Sequence, residues 1–175
     1  MKATALIAGL AAAVVVAAVV LALRAAGKAD VAGFLGPATR LADVNLLLQI
    51  ALVLGLTFGA VLARKGRIEA HRINQTIWVL VNAALVACIM VGSILGFKLK
   101  SLADLADPGI GLTWLHALIG TLTFFAGLWL VLQMNDILPK RFHITWWKNL
   151  MRMTLAGYWA VALLGFATYY FWYAA

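Results

Sequence analysis

Hydrophobic residues in this chain form five long uncharged blocks, and the charged residues stand between the blocks. The blocks cover residues 3–23, 44–63, 73–97, 108–135 and 153–175. Each block has the length of about 20 residues or more that an α-helix needs to cross a bilayer. The pattern predicts an all-α integral membrane helical bundle, a single unit over residues 1–175 with five transmembrane helices. The predicted helices lie approximately at 3–23, 44–63, 73–97, 110–135 and 150–173.

The composition agrees with a membrane location and excludes several classes of protein. Of the 175 residues, 65% are hydrophobic and 11% are charged, whereas soluble domains carry roughly 25% charged residues. The single cysteine, Cys88, excludes a disulfide within the chain and a metal site made of several cysteines. The net charge of +8 does not indicate nucleic acid, because the basic residues lie between the blocks, where membrane topology places them. The expected partners are lipid and other membrane subunits.

The distribution of Lys and Arg predicts the orientation of the bundle. The first block is long enough to span, so we expect a retained helix instead of a cleaved signal peptide. With the N-terminus inside, nine basic residues lie on the inner side and five on the outer side. The positive-inside rule therefore predicts N-in and C-out. Trp146 and Trp147 then mark the inner interface, and the terminal aromatic run marks the outer one. We expect the protein in a bacterial cytoplasmic (inner) membrane.

Two pairs of glycines indicate where helices approach each other closely. Gly55 and Gly59 lie in the second block, and Gly92 and Gly96 lie in the third. Small residues four positions apart allow two membrane helices to bring their backbones together. Both pairs are therefore predicted to lie at helix interfaces.

Histidines are the main candidates for chemistry, because no Asp, Glu, Lys or Arg is predicted deep in a span, as ion pathways usually require. His71 lies at the inner entrance of the third block, and His143 lies on the same side, before the fifth. His116 is predicted about one turn inside the outer boundary of the fourth block. Helix rise separates His116 from His71 by about 25 Å or more. One haem therefore cannot be held by both.

The inner alternative pairs His71 with His143 as ligands of haem iron or copper. Each of these histidines also has a plain interpretation, as a residue of a basic loop that binds lipid phosphate. If haem is bound here, Arg72 and Arg141 are candidate partners of its propionates.

The outer alternative pairs His116 with Met90, which lies at a similar depth on the third block. His/Met ligation of haem iron is a known arrangement. Asn45 and Gln49, one turn apart on the second block, are expected to orient the imidazole. The plain interpretation is an interfacial histidine bonded to a neighbouring side chain.

The second half of the chain resembles a small bacterial membrane family marked by histidines. The resemblance is carried by AHRINQTIWVLVNAALVACIMVGSI, LHALIGTLTFFAGLWLVLQ and HITWWKNLMRMTLAGYWAVALLGFATYY, and it extends over residues 44–173. That family is a domain of unknown function associated with cytochrome c oxidase assembly. The resemblance implies that His71, His116 and His143 are functional. The family has a further histidine where this chain reads ILGFKLK, so the resemblance implies only the inner pair, which is the preferred site.

Together these features predict an integral membrane subunit of a respiratory or photosynthetic electron-transport assembly, binding haem b through histidines at helix ends. It is expected to be an accessory subunit, not an enzyme acting alone. One alternative is a non-catalytic scaffold or assembly factor for a haem-copper oxidase or a similar complex. Another is transient delivery of copper or haem, for which Met151 and Met153 would supply soft ligands.

Overall fold

A computed structural model describes residues 2–96 and 101–174 of the chain. Five helices are long and apolar enough to cross a membrane, which confirms the predicted fold class. They are α1 (Lys2–Ala25), α2 (Arg40–Arg64), a composite third helix, α5 (Pro108–Met134) and α6 (Trp147–Tyr173). The third consists of α3 (Ile68–Leu85), a π-helical segment (Val86–Met90) and α4 (Val91–Gly96). Short 3-10 helices cover Leu102–Ala106 and Lys140–Phe142.

The helices begin earlier than hydropathy predicts, because local caps set their first residues. The Thr39 side chain accepts a hydrogen bond from the Ala42 N–H at 3.3 Å and starts α2 at Arg40, four residues ahead of the prediction. Helix α3 starts at Ile68, five residues early, just after Gly66 turns the chain at φ +72°. The predicted end of this span at residue 97 lies outside the described residues.

Four of the helices form a ring, and α1 packs outside it. In the ring, α2 contacts α3, α3 contacts α5, α5 contacts α6 and α6 contacts α2. Helix α1 packs against α3 and runs in the same direction, because Gly9 lies against Thr76 while Val20 clusters with Leu85 and Ile89. We name the two ends of this bundle the His71 end and the His116 end.

The first glycine pair lies at a helix interface, as predicted. A Cβ atom at Gly55 would overlap the Trp78 indole, and one at Gly59 would overlap the amide groups of Asn74 and Gln75. The close approach exposes α2 carbonyl groups to side chains of α3. Asn74 Nδ2 donates to the Gly55 carbonyl at 2.8 Å and Gln75 Nε2 to the Leu56 carbonyl at 3.0 Å. These bonds form a polar seam between α2 and α3.

The second glycine pair does not mark an interface at Gly92, and that prediction is wrong for this residue. Within residues 2–96 and 101–174, no atom outside the local helix backbone lies within 4 Å of the position of a Cβ atom at Gly92, which lies two residues after the π-helical segment. The side-chain surroundings of position 96 lie outside the description.

The predicted orientation can be tested by labelling two exposed connections with a membrane-impermeant maleimide in a Cys88→Ser background. Lys65 lies between α2 and α3, and Ala103 lies in the 3-10 helix before α5. N-in topology predicts that Ala103→Cys is labelled in intact cells and that Lys65→Cys is labelled only after permeabilisation. The cysteine is placed at Lys65 and not at the neighbouring Gly66, because the positive φ of Gly66 disfavours other residues. Labelling of Lys65→Cys in intact cells would reverse the assignment.

Candidate functional site

A cavity of about 790 Å³ lies inside the ring of four helices, towards the His116 end. Asn82 of α3 and Tyr158 of α6 line it and are both buried, with Asn82 Nδ2 3.4 Å from the tyrosine hydroxyl. This pair connects two helices that are not neighbours in the ring. Apolar side chains on its walls include Leu46, Ile50, Ile89, Phe124, Ala162 and Phe166.

His116 lines this cavity, and one of its ring nitrogens has no hydrogen-bond partner within the described residues. Because Asp107 caps α5 and Pro108 begins it, His116 lies eight residues, about 12 Å, into the helix. This is deeper than the single turn that the sequence predicts. The imidazole lies against α6: it interacts with the Val161 backbone, and a Cβ atom at Gly165 would be 3.3 Å from its Cε1 atom. Its Nδ1 atom is buried and has no hydrogen-bond partner among the described residues.

Met90, the other member of the predicted outer pair, lines the same cavity. It is the last residue of the π-helical segment Val86–Met90. Such segments are rare and are frequently found at functional sites. The structure thus brings both members of the predicted outer pair, His116 and Met90, to one cavity.

Asn45 and Gln49 also line the cavity. Asn45 Oδ1 and Gln49 Nε2 are buried without a hydrogen-bond partner in the described part of the chain, as is His116 Nδ1. The role of these two amides in orienting the imidazole stays a prediction. Buried polar atoms are usually satisfied by protein, water or a ligand. Their convergence makes this cavity a candidate site for ordered water or a bound molecule.

His71 belongs to the seam between α2 and α3, away from this cavity. Its side chain is 5% exposed, and its Nδ1 atom lies 2.8 Å from the Gly59 carbonyl oxygen. The Nε2 atom is buried and unpaired within the described residues. Arg72, the predicted propionate partner, forms an ion pair with Glu69 at 2.6 Å. In this structure, the Arg72 charge is therefore compensated by a protein carboxylate.

His143 lies in the connection between α5 and α6 and bonds to the backbone of that connection. Its Nε2 atom lies 3.0 Å from the Leu138 carbonyl oxygen, and the exposed Arg141 stacks over the Phe142 ring at 4.8 Å. His71 and His143 thus each direct one ring nitrogen at a backbone carbonyl, and the two carbonyls are different. Neither His71 nor His143 lines the cavity at the His116 end.

Sites for a metal ion with several protein ligands are not found in residues 2–96 and 101–174, where no three side chains of His, Cys, Asp or Glu come together. Met153, a predicted copper ligand on α6, is exposed. Among the residues that line the cavity, His116 offers an imidazole and Met90 a thioether.

The contact between Asn82 and Tyr158 in the cavity is not predicted by the sequence. No spacing in the sequence connects Asn82 with Tyr158, which lie 76 positions apart. A tyrosine in the middle of an apolar block was the available signal. No model of a protein family matches the chain, and neither a curated protein nor a solved structure does.

Proposed function

We propose that this protein is an integral membrane subunit of an electron-transport assembly and that it binds haem b in the cavity at the His116 end. The observation that carries the proposal is the buried, unpartnered Nδ1 atom of His116, in a cavity of about 790 Å³ that Met90 also lines.

The donors of the cavity fit the requirements of haem iron. Haem takes axial ligands from imidazole nitrogen and thioether sulfur. His116 would supply an imidazole from α5, and Met90 would supply a thioether from the composite third helix, which is the neighbour of α5 in the ring. Bound haem would supply one-electron transfer. The protein would hold the ring and keep its surroundings apolar.

The walls of the cavity fit the periphery of the same group. Most of the lining is apolar, as a porphyrin face requires, and Phe124 and Phe166 offer aromatic surface. Arg24, at the end of α1, also lines the cavity and is a candidate partner for a propionate. Asn45 and Gln49 add hydrogen-bonding groups that would meet polar substituents of the ring.

The test is a dithionite-reduced minus oxidised spectrum of the purified protein, expressed with a sufficient supply of haem. We expect a b-type α band. A flat spectrum from folded protein would contradict haem binding and favour the scaffold or assembly alternative. In that case, the protein should co-purify in stoichiometric amounts with a larger membrane complex.

A further inference from the structure

The connection between α1 and α2, residues 26–39, folds back on itself. An isolated β-bridge pairs Ala32 with Thr39. The Gly33 N–H donates to the Ala38 carbonyl at 2.8 Å, and the Arg40 N–H donates to the Val31 carbonyl at 2.9 Å. These bonds give the connection, which we name the 26–39 loop, a defined shape with its tip near residues 34 and 35.

A buried carboxylate fixes this tip. Asp43, in the first turns of α2, is 0% exposed. Its Oδ2 atom accepts hydrogen bonds from the backbone N–H groups of Phe34, at 2.5 Å, and Leu35, at 2.8 Å. Its Oδ1 atom accepts one from the Tyr169 hydroxyl at 2.6 Å. A buried charge needs such partners, so the backbone of the tip must face inward, towards Asp43.

These bonds also set the depth of the tip. Asp43 lies three residues, about 4.5 Å, inside the first residue of α2. Tyr169 lies four residues, about 6 Å, before the end of α6. Gly36 is close to the Tyr169 hydroxyl as well, since a Cβ atom there would be 3.8 Å away. The tip therefore lies beside the first turn of α2 and the last turns of α6, and it does not stand above the helix ends.

The side chains that the tip presents outward are apolar. Phe34 is 57% exposed, Leu35 51% and Val31 38%. Tyr170, Trp172 and Tyr173 are exposed at the same end of α6. Tyr and Trp are enriched where a membrane meets water. The apolar tip and the aromatic residues thus share one level of the bundle.

We propose that the tip of the 26–39 loop inserts Val31, Phe34 and Leu35 into the interfacial layer of the bilayer and anchors the His116 end there. The partner is the lipid surface itself. The exposed cation Lys28, near the start of the loop, is suited to lipid phosphates. This anchoring role is independent of haem binding.

The test uses the full chain in lipid nanodiscs, with cysteine in place of Phe34 or Lys28 in a Cys88→Ser background. Each cysteine carries an NBD fluorophore, and the lipids carry a nitroxide near the headgroup end of the acyl chain. We expect the label at 34 to emit at shorter wavelength and to be quenched more strongly by the lipid nitroxide. The label at 28 should be quenched more strongly by aqueous iodide.

Equal emission and equal iodide quenching at the two positions would overturn the proposal. Protection of position 34 in native membranes but not in nanodiscs would also overturn it, because the tip would then contact a protein partner. Leu35→Cys is the second labelling site if the Phe34→Cys protein does not fold. Tyr169→Phe removes one of the bonds to Asp43 and should weaken the nitroxide quenching at 34.

Discussion

Replacing His116 with alanine should remove the haem band and leave the protein folded. The Nδ1 atom of His116 has no partner within the described chain, so the substitution breaks little that holds the helices together. Replacing a residue that only orients a metal ligand lowers metal affinity by about 10- to 100-fold, so losing the ligand itself should cost at least that much. The measurement is haem content per folded protein. Met90→Leu, which nearly conserves volume, should shift the spectrum.

The matched control is His71→Ala, for which we expect the opposite pattern. Its loss removes the hydrogen bond to the Gly59 carbonyl, and such a bond contributes about 0.5–1.5 kcal/mol. Thermal stability in detergent should fall, while the folded fraction keeps its haem. His143→Ala should also keep the band.

If His71→Ala and His143→Ala each removed the band while His116→Ala retained it, the inner pair would be the haem site. The double mutant would then be non-additive, since both changes destroy one site. That outcome would refute the proposed location of the haem.

Gly55→Val should prevent stable packing of α2 against α3. A Cβ atom at Gly55 would overlap the Trp78 indole, and the helices would have to separate. Separation would also stretch the bond from Asn74 to the Gly55 carbonyl. Overpacking costs about 1–3 kcal/mol in well-packed cores, and the lost seam bonds would add to that cost. We expect a large drop in monodisperse protein in detergent size-exclusion chromatography and a lower thermal midpoint.

Gly92→Val is the control for this prediction, because it makes the same change in the other glycine pair. In the described part of the chain, no atom outside the local helix backbone lies within 4 Å of a Cβ atom at Gly92, so the variant should behave like the wild type. Equal losses for the two variants would show that intrinsic helix effects, and not the contact with Trp78, determine the result.

The five helices could be predicted from sequence because a membrane span depends mainly on the length of an uncharged run. Their first turns could not be predicted in this way. Arg40 and Asp43 in α2, and Glu69 in α3, are charged, so a rule based on uncharged length excludes them. Thr39 and Gly66 determine these starts through a cap and a turn, which are short signals.

The candidate site was predictable only in part. Depth along the helices grouped His116 and Met90 correctly as residues of one end, and the cavity contains both. Depth does not specify rotation about the helix axis, however, and rotation directs His71 to the Gly59 carbonyl. The role of Asp43 was missed for a related reason. Its donors, Phe34 and Leu35, lie in a connection whose path depends on tertiary contacts.

The π-helical segment Val86–Met90 changes the phase of the third membrane helix. One extra residue in a turn rotates everything after it by about 100° relative to an uninterrupted α-helix. A helical wheel drawn from Ile68 therefore assigns the residues beyond Met90 to the wrong sides. The segment reads VACIM and contains neither proline nor glycine. The first part of this helix contacts α1, α2 and α5, and both parts line the cavity, since Asn82 precedes the π-helical segment and Ser93 follows it.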